Sequence, residues 1–239
     1  MKTVAGSIIL CLMCICMSCS DVLKDRFEVS VHLKNYPDTL LYVFSKYGDS
    51  IHPDTLKIGK DSLFHFETTE IETSLIVFVS MHDNGFISVY PDKKQLIISV
   101  EGDANYPELV RVNGGVLNDS LTIFKHEADS LLRLYCTYNH KLEKAWRGDS
   151  IALADSLYES ETYIQLQRKV NATVGSYVKQ HPASKASLYL VRDFCTMKIL
   201  PNALDSLLLL PHESLHTDPL FVSLKEISRS DSDSVKLTQ

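Results

Sequence analysis

The sequence predicts an α+β fold class, with an N-terminal antiparallel β-sandwich or open barrel followed by a C-terminal helical domain. Two observations carry this prediction. Over residues 27–115, apolar and polar residues alternate with period two in short runs that are separated by turn residues, which is typical of strands with one buried face. After Gly115 the apolar residues recur at every third or fourth position, as they do on the buried face of a helix.

The strand-like half contains short runs at even spacing. The first run, residues 27–33, alternates strictly, and residues 40–44 follow it after the turn residues Asn35, Pro37 and Asp38. The later runs are residues 54–58, 62–66, 74–80, 85–90, 95–100 and 108–112. Evenly spaced short strands with turn signals between them favour an antiparallel sandwich or an open barrel.

The helical half begins after Gly114 and Gly115. An apolar stripe predicts one helix to about Trp146, with Asn118 or Asp119 as its cap. A second long helix is predicted over residues 151–178, and shorter ones over 184–197, 201–210 and 219–228. The predicted organisation is a signal peptide at 1–18, a lipidated linker at 19–26, a β-rich domain at 27–115, a helical domain at 116–229 and a flexible tail at 230–239.

The N-terminal segment predicts a bacterial lipoprotein signal peptide. Lys2 precedes an apolar run over residues 8–17 that is too short to span a bilayer as a stable anchor. Ser18 provides the small side chain that signal peptidase needs before the cysteine, so cleavage is expected between Ser18 and Cys19. The mature chain should therefore begin at Cys19, carry acyl chains such as palmitate, and be held in the cell envelope by lipid. The outer membrane is the expected location, and the side that the protein faces is left open.

Charge and cysteine usage narrow the function classes. The net charge of −6 argues against nucleic-acid binding, which needs a basic surface. No run after Cys19 is long and apolar enough to predict a transmembrane helix. Cys136 and Cys195 are the cysteines that follow Cys19. They form either a disulfide in an oxidising envelope or two buried small apolar side chains, and the second alternative is favoured because a chain of this size needs no covalent staple.

One literal metal motif occurs near the end of the chain. His212, Glu213 and His216 spell H-E-x-x-H, which binds zinc and activates water when both imidazoles lie on one helix. Pro211 and Pro219 leave room for only a turn or two of helix between them. The sequence therefore predicts a polar loop at this position, and the three residues are a weak candidate for metal binding. For the chain as a whole, it predicts no bound metal, no cofactor and no catalytic residue.

Five short motifs follow one another along the mature chain. They are the first strand at residues 27–34, a glycine-to-phenylalanine strand at 59–66, a Tyr-Pro-Asp-Lys turn at 90–93, an Asn-Gly turn at 112–118 and a His-Pro-Ala-Ser turn at 181–184. In this order they resemble the DUF4369-type N-terminal domain of bacterial envelope lipoproteins that usually end in a thioredoxin-like domain. Trp146 is the sole tryptophan, and no W-C-x-x-C motif follows it. The resemblance therefore implies an accessory domain without the redox site.

These observations together predict a membrane-anchored lipoprotein that acts as a non-catalytic accessory or binding module and is not an enzyme. Its expected partners are the bilayer, through acylated Cys19, and an envelope protein or a separately encoded thioredoxin-like protein. One alternative is the accessory half of a thiol-disulfide redox system that uses Cys136 and Cys195. The second is a zinc hydrolase that uses His212, Glu213 and His216.

Overall fold

The computed structural model describes residues 27–34, 40–47, 50–57, 61–68, 76–80, 86–90, 95–101, 106, 109–148, 150–196, 200 and 202–236. The predicted signal peptide, the acylated Cys19 and the linker at 19–26 lie outside the described residues. The chain separates into two units, residues 1–100 and residues 101–239.

The first unit consists of strands in its described part. They are β1 (Phe27–Lys34), β2 (Leu40–Tyr47), β3 (Ser50–Lys57), β4 (Asp61–Thr68), β5 (Ile76–Ser80), β6 (Phe86–Val89) and β7 (Gln95–Glu101). β1 is antiparallel to β4, with Phe27 opposite Thr68. β2 is antiparallel to both β3 and β5, and β5 is antiparallel to β6. The strands therefore belong to two separate hydrogen-bonded sets.

The predicted α+β fold class, with its antiparallel β-sandwich or open barrel, is wrong. The part of the chain whose side chains the structure describes is mostly helical, and no sandwich or barrel is seen in it. The predicted strand runs overlap observed strands, because alternation with period two reports local backbone conformation. Alternation does not report which layer covers the apolar face of a strand, and that depends on contacts between residues far apart in the chain.

The second unit is a set of helices that follows one short strand. Its elements are β8 (Arg111–Asn113), α1 (Val116–Glu127), α2 (Asp129–Arg147), α3 (Ile151–Tyr158), α4 (Glu161–Gln180), α5 (Lys185–Cys195), α6 (Ala203–Leu208) and α7 (Pro219–Lys236). A single turn of 3-10 helix, Glu213–Leu215, lies between α6 and α7. Among the described residues, no helix has both the length and the apolar character needed to cross a membrane.

The turn before α1 differs from the predicted cap. Gly115 is the N-cap residue, and Gly114 and Gly115 both have positive φ angles, 114° and 85°, which glycine adopts without strain. The Asn118 side chain donates from Nδ2 to the Gly114 carbonyl at 2.7 Å, and Asp119 Oδ1 accepts from the Gly114 N–H at 2.8 Å. Asn118 and Asp119 therefore hold the glycine turn closed instead of capping the helix.

Both long predicted helices are interrupted. The first is divided into α1 and α2 at Ala128, and the second into α3 and α4 at Glu159 and Ser160. Ser160 caps α4, because its Oγ accepts from the Tyr163 N–H at 3.2 Å. α4 ends at Gln180, immediately before the predicted His181-Pro182 stop. α7 continues to Lys236, through most of the segment that was predicted as a flexible tail.

The core of the second unit is built around α4, which contacts α2, α3, α5 and α6. Its inward face includes Val170, Val174 and Val178, and all three are fully buried. Gly175 permits a close approach of α6, since a Cβ at this position would lie 3.1 Å from Leu207 Cδ2. α4 therefore lies at the centre of the helix packing in this unit, and α2 is one of the helices that contact it.

Candidate functional site

One face of α2 borders an open cleft of about 420 Å³ within the second unit. This volume lies in the range of small-molecule sites, which is about 300–1,000 Å³. The described lining residues are Tyr106, Thr137, His140, Lys141 and Lys144. The four α2 residues are spaced three and four positions apart, or adjacent, so they share one helix face. Tyr106 reaches this face from a position 31 residues before Thr137.

The Tyr106 side chain is fixed against α2 by several contacts. Its hydroxyl lies 3.1 Å from Thr137 Oγ1. The Thr137 hydroxyl donates its own hydrogen to the Arg133 carbonyl at 2.8 Å, so Tyr106 is the donor to Thr137. The Arg133 guanidinium lies 4.9 Å from the centroid of the Tyr106 ring, and the His140 ring is stacked on Tyr106 at 6.2 Å. Tyr106 and Thr137 therefore form an ordered polar wall of the cleft.

The positive charges around α2 fall into two groups. Arg133 forms an ion pair with Asp129 at 2.9 Å, and Arg147 forms one with Glu143. Lys141 and Lys144 are exposed. Within the described part of the chain, their side chains form no ion pair and no hydrogen bond. The cleft therefore carries two cations, three positions apart on α2, that no acidic side chain of the described residues pairs with.

Buried tyrosines form a second polar feature, on the opposite side of α2 from the cleft. Tyr163 of α4 is fully buried and lies parallel to Tyr135 and Tyr138, with centroid distances of 6.3 Å and 4.9 Å. Its hydroxyl donates to Asn139 Oδ1 at 2.6 Å. Burial raises the pKa of Tyr163 and of Tyr135 above the ordinary value. This cluster is packed and hydrogen-bonded, so its role is structural.

The two cysteines of the helical unit are both buried, and neither is in a disulfide. Burial strongly raises the pKa of the Cys195 thiol, because an apolar environment disfavours the thiolate. The thiolate is the reactive form in thiol-disulfide exchange. A buried thiol with a raised pKa is therefore a poor redox nucleophile, and Cys195 acts as a small apolar core residue, as does the equally buried Cys136.

The H-E-x-x-H residues lie at the 3-10 turn before α7 and not on one continuous helix. His212 caps this turn, with its Nδ1 accepting from the Ser214 N–H at 3.2 Å. The His216 ring instead stacks on Phe221, with centroids 4.5 Å apart. His212, Glu213 and His216 are all exposed. Throughout the described residues, no group of three or more His, Cys, Asp and Glu side chains is arranged to hold a metal ion.

The residues of the α2 cleft are not among the candidates that the sequence predicts. A signal was present for part of the site, since Thr137, His140, Lys141 and Lys144 fall on the polar face of an amphipathic helix. Tyr106 gave no such signal, because its contact with α2 is long-range. A scan against protein-family models finds no match to this chain, and a search of curated proteins finds no significant match. The resemblance to DUF4369-type domains therefore stays a prediction.

Proposed function

We propose that the chain is a bacterial envelope lipoprotein that acts as a non-catalytic binding module, attached to the membrane through acylated Cys19. One observation carries the proposal. Cys19 follows the small residue Ser18 at the end of a short apolar run with Lys2 at its start, and this is the arrangement that lipoprotein signal peptidase cleaves. Two or more acyl chains then provide stable attachment without a membrane-spanning helix.

The geometry of the helical unit supports binding in preference to catalysis. The thiols that a redox role needs are buried, and the two histidine rings of the zinc motif contact Ser214 and Phe221 separately. The α2 cleft, by contrast, combines an ordered polar wall with two exposed cations. A recess with a few fixed polar groups is typical of ligand sites. We place the binding role of the module at this cleft.

The anchor is tested by replacing the cysteine in the full chain. Cys19→Ser and the control Cys16→Ser are each expressed in a bacterial host with an alkyne-bearing fatty acid, and membranes are separated from soluble protein. We expect Cys19→Ser to lose the fatty-acid label and to leave the membrane fraction. Cys16→Ser should keep both, because Cys16 follows Ile15 and lies in the segment that is removed. Equal labelling of the two variants would show that Cys19 is not the anchor.

A further inference from the structure

We propose that the α2 cleft binds a phosphate group, held between the ammonium groups of Lys141 and Lys144. This inference names the ligand class of the binding site and rests on the binding role proposed above. It does not depend on the anchor, since every group that it uses lies in the helical unit.

The charge pattern of α2 favours an anionic ligand. Lys141 and Lys144 are three positions apart on one helix, and like charges at this spacing repel each other. No acidic side chain of the described residues pairs with either lysine. A bound anion between them removes the repulsion and gives each ammonium group an acceptor. The neighbouring arginines do not need such a ligand, because Asp129 and Glu143 already neutralise them.

The hydrogen bonds within the cleft also favour a ligand that accepts hydrogen bonds. The hydroxyl hydrogens of Tyr106 and Thr137 are both committed within the wall. The ring of Tyr106 is already engaged by Arg133 and His140. Of the lining residues, Lys141 and Lys144 together provide six N–H donors that form no hydrogen bond within the described part of the chain. The matching ligand therefore presents acceptors and negative charge.

The choice of phosphate follows from its geometry and charge. A phosphate monoester has three terminal oxygens and a charge between −1.5 and −2 at about pH 7, so two ammonium groups can bind it at once. Lysine binds phosphate as a point charge and imposes no planar geometry. The volume of about 420 Å³ accommodates a phosphate together with part of the molecule that carries it. A free phosphate monoester presents all of this chemistry, and the phosphodiester headgroup of an anionic lipid presents the same phosphate acceptors with one terminal oxygen and one charge fewer.

The test compares two pairs of lysines in the full chain, purified in detergent. The variant K141Q/K144Q removes the charges of the cleft. The control K169Q/K179Q removes two exposed charges from α4. Glycerol 3-phosphate is titrated into each protein by calorimetry at low salt. We expect K141Q/K144Q to bind about tenfold more weakly than the unmodified chain, as befits two exposed ionic contacts, and the control to bind normally.

Two further measurements complete the test. The variant K141R/K144R keeps the charge and should bind within about threefold of the unmodified chain. Flotation of Cys19→Ser, alone and combined with K141Q/K144Q or with K169Q/K179Q, on phosphatidylglycerol or phosphatidylcholine vesicles shows whether the source is a lipid headgroup. Lysine-dependent binding to phosphatidylglycerol vesicles alone indicates the headgroup, and lysine-dependent binding to glycerol 3-phosphate indicates a free ester.

The outcomes separate this inference from the proposed anchor. The phosphate site is overturned if K141Q/K144Q and K169Q/K179Q bind glycerol 3-phosphate and vesicles equally well. This conclusion holds whether or not Cys19 is acylated. Absence of any binding to both probes overturns it as well. If Cys19 proves not to be acylated while K141Q/K144Q still loses phosphate binding, the anchor is wrong and the phosphate site stands. Thermal unfolding of all the variants confirms that each of them is folded.

Discussion

The replacement Tyr163→Phe tests the packing of the helical unit most sharply. It removes the hydroxyl that donates to Asn139 Oδ1 at 2.6 Å and leaves the fully buried ring in place. Asn139 is half-buried, so its freed oxygen can reach water, and losing this part-buried hydrogen bond costs about 0.5–1.5 kcal/mol. We expect the free energy of unfolding, measured by urea titration with circular dichroism at pH 7, to fall by this amount.

A double-mutant cycle with Asn139→Ala isolates the bond itself. If the Tyr163 hydroxyl and the Asn139 amide are bonded, the losses in free energy of unfolding of the two single variants will sum to about 1 kcal/mol more than the loss of the double variant. Full additivity of the two single changes would refute the contact. The cycle needs no assumption about the ring stack, because Tyr163→Phe keeps both parallel rings, Tyr135 and Tyr138, in contact with position 163.

The same variant has a distinct pH dependence. Burial raises the pKa of Tyr163 in the folded state above its unfolded value of about 10. The unfolded chain therefore releases this proton first, and the stability that Tyr163 contributes is complete below about pH 10 and is lost as the pH rises further. Each pH unit above that value costs up to about 1.4 kcal/mol. The difference in free energy of unfolding between Tyr163→Phe and the unmodified chain should consequently narrow between pH 10 and 11. A difference that stays constant over this range would contradict the burial of the Tyr163 side chain.

Three further predictions concern local contacts. Ser160→Ala removes the cap of α4 and should lower the free energy of unfolding by about 0.5–2 kcal/mol, whereas an unchanged urea midpoint would argue against the cap. Asn118→Ala should lower the free energy of unfolding by about 1–3 kcal/mol, because its buried amide closes the glycine turn. Asp119→Ala should lower it by less, since Asp119 is exposed. A larger loss of thermal stability for Asp119→Ala than for Asn118→Ala would be inconsistent with the turn. Iodoacetamide should modify Cys136 and Cys195 only after denaturation, as mapped by peptide mass spectrometry, and rapid modification of the native protein would show that the thiols are accessible.

The helices could be predicted from the sequence, but their interruptions and the layer arrangement could not. The apolar stripe at every third or fourth residue marked the helices because each of them buries one face. The break at Ala128 had no local signal, since alanine is the strongest helix former. Ser160 was a detectable cap, because it precedes Glu161 at a helix start. The fold class failed because strand alternation does not say what covers a strand.

The candidate site was predictable only in part, for a related reason. The polar residues of α2 that face the cleft follow from helical periodicity alone. The wall that makes this face a cleft depends on the Tyr106 hydroxyl meeting Thr137, 31 residues later in the chain. His212 and His216 show the converse case. Their spacing matched a metal motif, but the proline on each side left no helix long enough to bring the two rings together.

The most direct test of the proposed function is the mass of the N-terminal peptide of the protein extracted from membranes. After digestion, the lipoprotein proposal predicts a first peptide that begins at Cys19 and carries acyl chains on the cysteine. It also predicts that no peptide from residues 1–18 remains on the membrane-bound protein. An unmodified Cys19 within a peptide that continues into the preceding apolar run would contradict the proposal.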